Sequence, residues 1–330
     1  MDVLPTPSEA SLAVLLLCST VAASGTSYAP LSSREWFLLS ERLEHAERYH
    51  LAELLVTDLD ALCRVLKYPV TFADRLKKLL GRRQAALNEL SELNEQGIWA
   101  VTSVDPAYPT SALERLGHHM PQVLFGVGDP SRLQREGVAI VGSRDVDPAG
   151  AAYAERLGQL CAAAKLTVIS GGARGVDLQA MEGALQTGGS VLGVVADRLM
   201  TAAARRDPAH SDQLTLLACV HPRRGFSRGV AMQRNRVIHA LGRHALVVAS
   251  AVYGGTWTGS LENLSHRWSP VLVRAGASVP VGNQELLRRG AHPLPEVPPS
   301  TPEELMRCLK AADLTATPDH ASVLDSGVPS

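Results

Sequence analysis

The chain of 330 residues has few of the residues that mark metal proteins or disulfide scaffolds. It contains five cysteines, and none of them stand at the short spacings that bind a metal ion. Their number is odd, which predicts free thiols of the kind that persist in a reducing cytoplasm. We therefore expect a cytoplasmic protein without a metal site.

A long apolar run is also lacking. The most apolar stretch, residues 12–23, is too short to span a bilayer. Asp2 and Glu9 precede it, and no Lys or Arg does, so the positive start of a signal peptide is missing. This stretch is predicted to be a buried helix, and no membrane contact is expected.

Acidic residues are absent from one long span. The whole chain is nearly neutral, with a formal charge of -1, so any nucleic-acid surface must be local. Residues 213–261 contain no Asp or Glu. The arginines of this span are Arg223, Arg224, Arg228, Arg234, Arg236 and Arg243. They form either a solvated face that pairs with distant acids or a local site for an anionic ligand.

The order of the predicted elements indicates the fold class. Helical periodicity dominates residues 41–55, 58–66 and 71–93. Short apolar runs follow, and helical patterns separate most of them; the predicted strands are residues 98–101, 123–125, 138–141, 166–170, 191–195, 246–249 and 271–274. This alternation predicts a Rossmann-like, doubly wound, mostly parallel α/β sheet preceded by a small helical domain.

We predict three regions in the chain. Residues 1–96 form the helical domain and residues 97–293 the Rossmann-like domain. Residues 294–330 contain a proline-rich linker, one short helix and a disordered tail.

Two stretches repeat one pattern. Residues 138–144 read V-A-I-V-G-S-R, and residues 167–177 read T-V-I-S-G-G-A-R-G-V-D. Each predicts a strand, a glycine turn and a helix. Parallel strands would bring both turns to one sheet edge, where helix N-termini and arginines bind phosphate. The predicted binding residues here are Gly142, Ser143, Arg144, Ser170, Gly171, Gly172, Arg174 and Gly175.

Two further motifs extend this predicted site. Residues 253–260 read Y-G-G-T-W-T-G-S after a predicted strand, and Gly254, Gly255 and Thr256 would form a third glycine loop. Trp257 would either stack on a base or pack in the core. In residues 234–236, R-N-R, two arginines suit phosphate contacts and Asn235 an amide contact, with helix capping as the alternative.

Enzymatic signatures are missing from these loops. The spacing matches neither G-x-G-x-x-G nor a Walker loop. No Ser/His/Asp arrangement, paired acid or metal cluster accompanies the glycines. Asp177 is predicted to cap the following helix, and His221, His239 and His244 are predicted to be structural or surface residues. We therefore expect no catalytic residue and no cofactor.

Several motifs in order resemble the DNA-processing protein A family (DprA, also called Smf). Residues 105–109 look like its D-P-x-Y-P segment, and residues 121–129 like its P-P-x-L-F-x-x-G segment. The two glycine loops resemble its V-G-S-R and S-G-x-A-x-G-I-D signatures, and residues 234–238 its R-N-R-x-I. Gly282-Asn283 and Gly290-Ala291 resemble its closing G-N and G-A positions.

The resemblance implies a cytoplasmic, non-enzymatic, dimeric protein that binds single-stranded DNA and loads the RecA recombinase during natural transformation. It assigns binding to Arg144, to the loop around Arg174 and, more loosely, to Arg234 and Arg236. The chain departs from the family where residues 205–210 read R-R-D-P-A-H instead of Y-P-x-x-N. Residues 254–261 also replace S-G-S-L-x-T-A, and no C-terminal winged-helix domain can be fitted.

Two alternatives remain open. The G-G-T-W variant is similar to divergent DprA-like proteins of phage-defence and toxin–antitoxin modules, which implies a regulator that senses DNA or a nucleotide and restrains a toxin-like enzyme. The other alternative is a nucleoside-monophosphate phosphoribohydrolase with a P-G-G-x-G-T-x-x-E motif. Here Gly259 stands where its catalytic Glu would fall, and Glu262 comes three residues later.

Overall fold

A nine-stranded sheet forms the centre of the molecule. The computed structural model describes residues 7–23, 28–46 and 50–315 of the chain. The strands are β1 (Ile98–Thr102), β2 (Val123–Val127), β3 (Gly137–Val141), β4 (Thr167–Ser170), β5 (Val191–Val195), β6 (Leu214–Ala218), β7 (His244–Val247), β8 (Val271–Arg274) and β9 (His292–Leu294). Their order is β1-β2-β6-β5-β4-β3-β7-β8-β9. β2 pairs antiparallel with β1 and β6, and all other pairs are parallel. The predicted fold class is confirmed.

The strand order reverses next to β3. From β3 the chain proceeds outward through β4, β5 and β6, and it then returns to β7 on the other side of β3 before continuing to β8 and β9. In open parallel sheets, a crevice forms at the carboxyl ends of the strands where the order reverses. The loops that follow β3, β4 and β7 therefore meet at one crevice.

Helices cover both faces of the sheet. They are α1 (Glu9–Cys18), α2 (Ser33–His45), α3 (Leu59–Val65), α4 (Val70–Leu80), α5 (Arg83–Glu95), α6 (Thr110–Leu113), α7 (Pro148–Ala163), α8 (Val176–Gln186), α9 (Leu199–Ala204), α10 (Arg228–Leu241), α11 (Gly254–His266), α12 (Val281–Arg288) and α13 (Pro302–Thr315). Apolar side chains of α1–α5, α7–α9 and α13 pack on one face. Those of α6 and α10–α12 pack on the other. None of these helices is long and apolar enough to cross a membrane.

The N-terminal helices share their core with the sheet. α1 is buried along most of its length, as expected, but it ends at Cys18 and does not continue to residue 23. Its leucines belong to the same apolar cluster as β2 and α7. Ser8 caps the start of α1 by accepting a hydrogen bond from the N–H of Ser11 at 3.1 Å. The three predicted regions remain a prediction, and residues 316–330 of the expected tail lie outside the described residues.

Two predicted helices have different bounds. The single helix expected over residues 71–93 is interrupted between α4 and α5. The guanidinium of Arg82 is buried at this break and donates to the carbonyls of Leu79, Val21 and Leu16, which fixes the change of direction. The helix expected over residues 41–55 is also wrong, because α2 ends at His45 and a separate 3-10 turn spans Leu51–Glu53. Residues 47–49 lie outside the described residues.

Sequence periodicity found seven strands within two residues of their bounds and missed β6 and β9. β6 is an apolar run of five residues, which periodicity cannot distinguish from a helical segment. β9 has only three residues and contains Pro293. Proline removes a backbone donor, so it is tolerated here because β9 is an edge strand.

Glu89 of α5 connects the helical region to the chain that follows β6. Its carboxylate accepts hydrogen bonds from the N–H of Ala22 at 2.6 Å and from Arg223 at 3.0 Å, and it lies 3.1 Å from Nε2 of His221. Arg223 begins the arginine-rich segment that leads to α10. The start of this segment is therefore held against the N-terminal helices.

Truncation of Leu16 tests the contribution of α1. Leu16 is fully buried, so Leu16→Ala should lower the free energy of unfolding by about 2–5 kcal/mol. Urea denaturation measures this change. Val56→Ala is the control, because Val56 is 82% exposed and should change stability little. Equal effects of the two substitutions would contradict the packing of α1 described here.

Candidate nucleic-acid interface

A cleft of about 1080 Å³ opens at the carboxyl ends of β3, β4, β5 and β7, with α10 contributing to its wall. It lies at the crevice expected from the strand order. The structure brings most of the predicted site residues together here: Gly142, Ser143, Arg144, Gly171, Gly172, Arg234, Asn235, Gly254, Gly255 and Thr256 all line the cleft.

Hydrogen bonds fasten the three glycine loops to one another. The N–H of Ser143 donates to the carbonyl of Ala249 at 2.8 Å, and the N–H of Val176 donates to the carbonyl of Ser143 at 3.2 Å. Oγ1 of Thr256 donates to the carbonyl of Gly142 at 2.9 Å. The loops after β3, β4 and β7 therefore form one connected floor.

Close packing requires glycine at two positions of this floor. A Cβ on Gly171 would lie 2.1 Å from Nη1 of Arg234 and 2.7 Å from Oδ2 of Asp177. Gly175 has a φ of +88°, and a Cβ there would lie 2.4 Å from the carbonyl oxygen of Ser143. Only glycine combines this backbone freedom with such close contact.

Asp177 lies beneath the loops and does not cap α8 as expected. Gly175 occupies the N-cap position, and Asp177 is in the first turn of the helix. Its buried carboxylate accepts hydrogen bonds from the N–H groups of Gly142, Gly171 and Ala173. Asp177 therefore orients the first two loops. The sequence did not predict this role, because Gly142 follows β3 whereas Asp177 follows β4.

Arg234 provides a buried positive charge next to this carboxylate. Its side chain is 13% exposed, and Nη1 lies 4.0 Å from Asp177 and donates to Oδ1 of Asn235 at 3.0 Å. Its Nε is buried without a hydrogen-bond partner. Burial raises the pKa of Asp177 to about 6, an effect that Arg234 partly opposes, and burial lowers the pKa of Arg234. The cleft thus holds a cation with an unused donor.

Two more arginines line the cleft without a partner. The side chains of Arg144 and Arg205 make no ion pair or hydrogen bond within the described part of the chain. Arg198 also lines the cleft, in a left-handed conformation with φ of +48°, and lies 3.9 Å from Asp197. Positive charge that is not neutralised locally suits an anionic ligand.

Two aspartates of the cleft lining, Asp145 and Asp147, already have partners. The carboxylate of Asp147 accepts the N–H of Gly150 at 2.6 Å and so caps α7. Asp145 forms an ion pair with Arg174 at 2.5 Å, and both side chains are exposed. Neither carboxylate pairs with Arg144 or Arg205.

Helix N-termini add donors to the site. α11 begins with Gly254, Gly255 and Thr256, all of which line the cleft, and its N-cap residue Tyr253 provides no side-chain hydrogen bond. The first N–H groups of a helix have no partner within the helix and favour anions. Together with the arginines, they form a surface that can bind phosphate groups.

The remaining predicted site residues lie away from the cleft lining. Ser170 donates to the carbonyl of Ile140 at 2.6 Å inside the sheet, and Gly175 contacts the first loop. Arg174 pairs with Asp145 and does not itself line the cleft. Arg236 pairs with Glu262 at 2.7 Å, and Trp257 packs against the core with the guanidinium of Arg289 5.5 Å from its ring.

Sequence reasoning missed other residues that line the cleft, namely Asp197, Arg198, Arg205, Phe226 and Tyr253. Asp197 and Arg198 follow β5, a correctly predicted strand, so their position at a carboxyl end was a usable signal. The described ranges contain no group of three or more His, Cys, Asp or Glu residues that could hold a metal ion. His239 and His244 are buried and hydrogen-bonded to Asn263 and Asp313, which fits their predicted structural role.

Comparison with known proteins identifies the family. The family model for DNA recombination-mediator protein A matches residues 99–301, more than half of the chain. The chain belongs to this family. A protein of Mycobacterium tuberculosis named as a DNA processing protein DprA is 27% identical, over 79% of this chain and 72% of its own length.

Two solved structures share the fold. DprA from Streptococcus pneumoniae aligns with a TM-score of 0.58 at 20% identity, covering 84% of this chain and 98% of the other. DNA processing protein A from Helicobacter pylori, whose structure addresses its single-stranded DNA binding mode, aligns with a TM-score of 0.53 at 21% identity. It covers 65% of this chain and 96% of its own. This chain therefore has the DprA fold.

The ionisation of Asp177 should make stability depend on pH. Its pKa is about 6 in the folded protein and about 3.9 in an unfolded chain. Between these values the folded state retains a proton that the unfolded state has lost, so stability falls as pH rises from 4 to 6, by about 3 kcal/mol. Above pH 6 this dependence ends because both states are ionised.

Denaturation of the wild type and of Asp177→Asn at several pH values measures this effect. The variant should be less stable because an amide cannot accept all three N–H groups. Its stability relative to the wild type should rise between pH 4 and 6. A constant difference across this interval would show that Asp177 has an ordinary pKa.

Proposed function

We propose that this DprA-family chain binds single-stranded DNA in the cleft and acts in DNA processing. One observation carries the proposal: unpaired arginines and helix N-termini surround three connected glycine loops at the switch point of the sheet. Phosphate oxygens would accept from these N–H groups and from Arg144, Arg205 and Arg234. The Helicobacter pylori relative, which is described as binding single-stranded DNA, supports this assignment.

The extent of the site favours a strand over one nucleotide. The cleft runs from loops near β7 to the segment after β5, and the intervening strands lie about 4.8 Å apart. Arg144 and Arg205 belong to loops at different points of this row. Separate arginines can therefore contact successive phosphates, as expected for a backbone-tracking site.

We further propose recombination as the process, with RecA as a partner and a homodimer as the working form, because the family resemblance implies them. A regulator of a phage-defence module would use the same cleft for DNA or a nucleotide. A gene for a toxin-like enzyme beside this one would favour the regulator, and a set of competence genes would favour recombination.

The phosphoribohydrolase alternative finds less support. Gly259 occupies the position of its catalytic acid and is buried between α10 and α11. The carboxylate of Glu262 pairs with Arg236 and does not line the cleft. The binding function proposed here requires no catalytic residue.

Removal of the two unpaired arginines tests the proposal. Arg144→Ala combined with Arg205→Ala should weaken binding of a labelled oligo(dT) roughly tenfold or more at low salt. Each lost phosphate contact should also reduce the slope of log K against log salt by about 0.7. Fluorescence anisotropy across a salt series measures both quantities.

Arg243→Ala serves as the matched control. Arg243 is exposed and pairs with Glu136 and Asp313. It directly precedes β7, at the amino-terminal end of this strand, whereas the cleft lies at the carboxyl ends. Its removal should leave binding nearly unchanged. An affinity that does not change with salt concentration, or a double variant that binds as tightly as the wild type, would contradict the proposal.

A substitution at Asp145 should act in the opposite direction. Asp145 pairs with Arg174 at the mouth of the cleft and so competes with a phosphate for that guanidinium. Asp145→Asn should raise affinity for oligo(dT) by up to about fivefold, the range of an exposed ion pair.

Asp60→Asn is the control for this substitution, since Asp60 forms an exposed pair with Lys77 in the helical region. The same anisotropy measurement applies. If Asp145→Asn binds no better than the wild type, Arg174 does not contact the ligand.

A further inference from the structure

Two exposed aromatic side chains line the cleft. Aromatic residues make up only 4% of the chain. Within the described ranges, Tyr253 at 77% and Phe226 at 59% are the most exposed of them. Both belong to the lining of the cleft, and neither ring takes part in an aromatic or cation–π pair there. Exposed aromatic rings that converge on one site indicate a binding surface.

We propose that Phe226 and Tyr253 stack on nucleobases of the strand bound in the cleft. This inference rests on the proposed function and adds a base-contacting subsite at two places on the cleft wall. Stacking on an aromatic ring needs no hydrogen-bond readout, because every base has a π-face. The subsite would therefore bind bases with little sequence preference.

The position of each ring fits this role. Tyr253 directly precedes α11, so it lies beside the N–H groups of Gly254 and Gly255 that can hold a phosphate. Phe226 lies two residues before α10, and the exposed Arg224 and Arg228 flank it. Each aromatic ring thus lies next to N–H or guanidinium groups that can donate hydrogen bonds to phosphates of the same strand.

The two rings belong to different segments of the chain. Phe226 lies between β6 and α10, and Tyr253 lies between β7 and α11. Both segments line the same cleft, so one bound strand can contact both rings.

Trp257, the aromatic residue of the third glycine motif, does not compete for this role. Its ring packs against the apolar cluster that α6 and α10–α12 share with the sheet, and the guanidinium of Arg289 lies over it at 5.5 Å. Base stacking is thus assigned to the two rings that core packing leaves uncovered.

An oligonucleotide without bases separates the two proposals. Binding of oligo(dT) is compared with binding of an abasic oligomer of equal length, which keeps the phosphates and loses the bases. The wild type should bind oligo(dT) at least fivefold more tightly, because base stacking contributes about 1–3 kcal/mol per base. Phe226→Ala with Tyr253→Ala should lose this preference and bind the abasic oligomer as the wild type does.

Two further variants control for folding and for general surface effects. Tyr253→Phe keeps the ring and should keep the preference for oligo(dT). Phe37→Ala removes a ring that is 46% exposed on α2 and should change neither affinity. In the wild type, 2-aminopurine placed in the oligomer should lose fluorescence on binding, which reports stacking without any substitution.

The outcomes are distinct. If the wild type binds neither oligomer, the proposed function fails. If it binds both equally, or if the double variant loses affinity for both to the same extent, base stacking is overturned while phosphate binding stands. Loss of the oligo(dT) preference alone, together with the 2-aminopurine signal, establishes the subsite.

Discussion

The cleft depends on one buried carboxylate. Asp177 accepts N–H groups from the loop after β3 and from the loop after β4, and it faces the guanidinium of Arg234. Loops of glycine have little conformational preference of their own, so an acceptor shared between them fixes their relative position. The burial that raises the pKa of Asp177 is the cost of this arrangement. It places a negative charge below a site that is otherwise built for anions.

Arg234 resolves this conflict. Its guanidinium lies 4.0 Å from the carboxylate and both residues line the cleft, so Arg234 offsets the negative charge of Asp177 there. Gly171 permits this position, because any side chain there would overlap the guanidinium. The glycines near this pair therefore serve two purposes: they turn the backbone and they make room for an ion pair. Removing either charge would leave the other buried without its partner.

The sequence predicted the strands and loops of the fold better than it predicted the contacts of individual side chains. Short apolar runs identified seven strands, and parallel pairing then brought three loops to the carboxyl ends of the strands. The motif R-N-R at residues 234–236 is an example of side-chain contacts that the sequence did not predict. Arg234 and Arg236 are two positions apart on α10, so they point to different sides of the helix, one into the cleft and one to Glu262. Asp177 was misassigned because its partner Gly142 is distant in sequence and is placed by strand register.

The contacts of Glu89 couple the helical region to the cleft. Its carboxylate holds Ala22 on one side and the start of the arginine-rich segment on the other, and that segment continues to Phe226. A shift of α5 would pull on one wall of the cleft while the glycine floor stayed fixed by its own hydrogen bonds. The N-terminal helices and that wall of the cleft are therefore mechanically connected through the hydrogen bonds of Glu89.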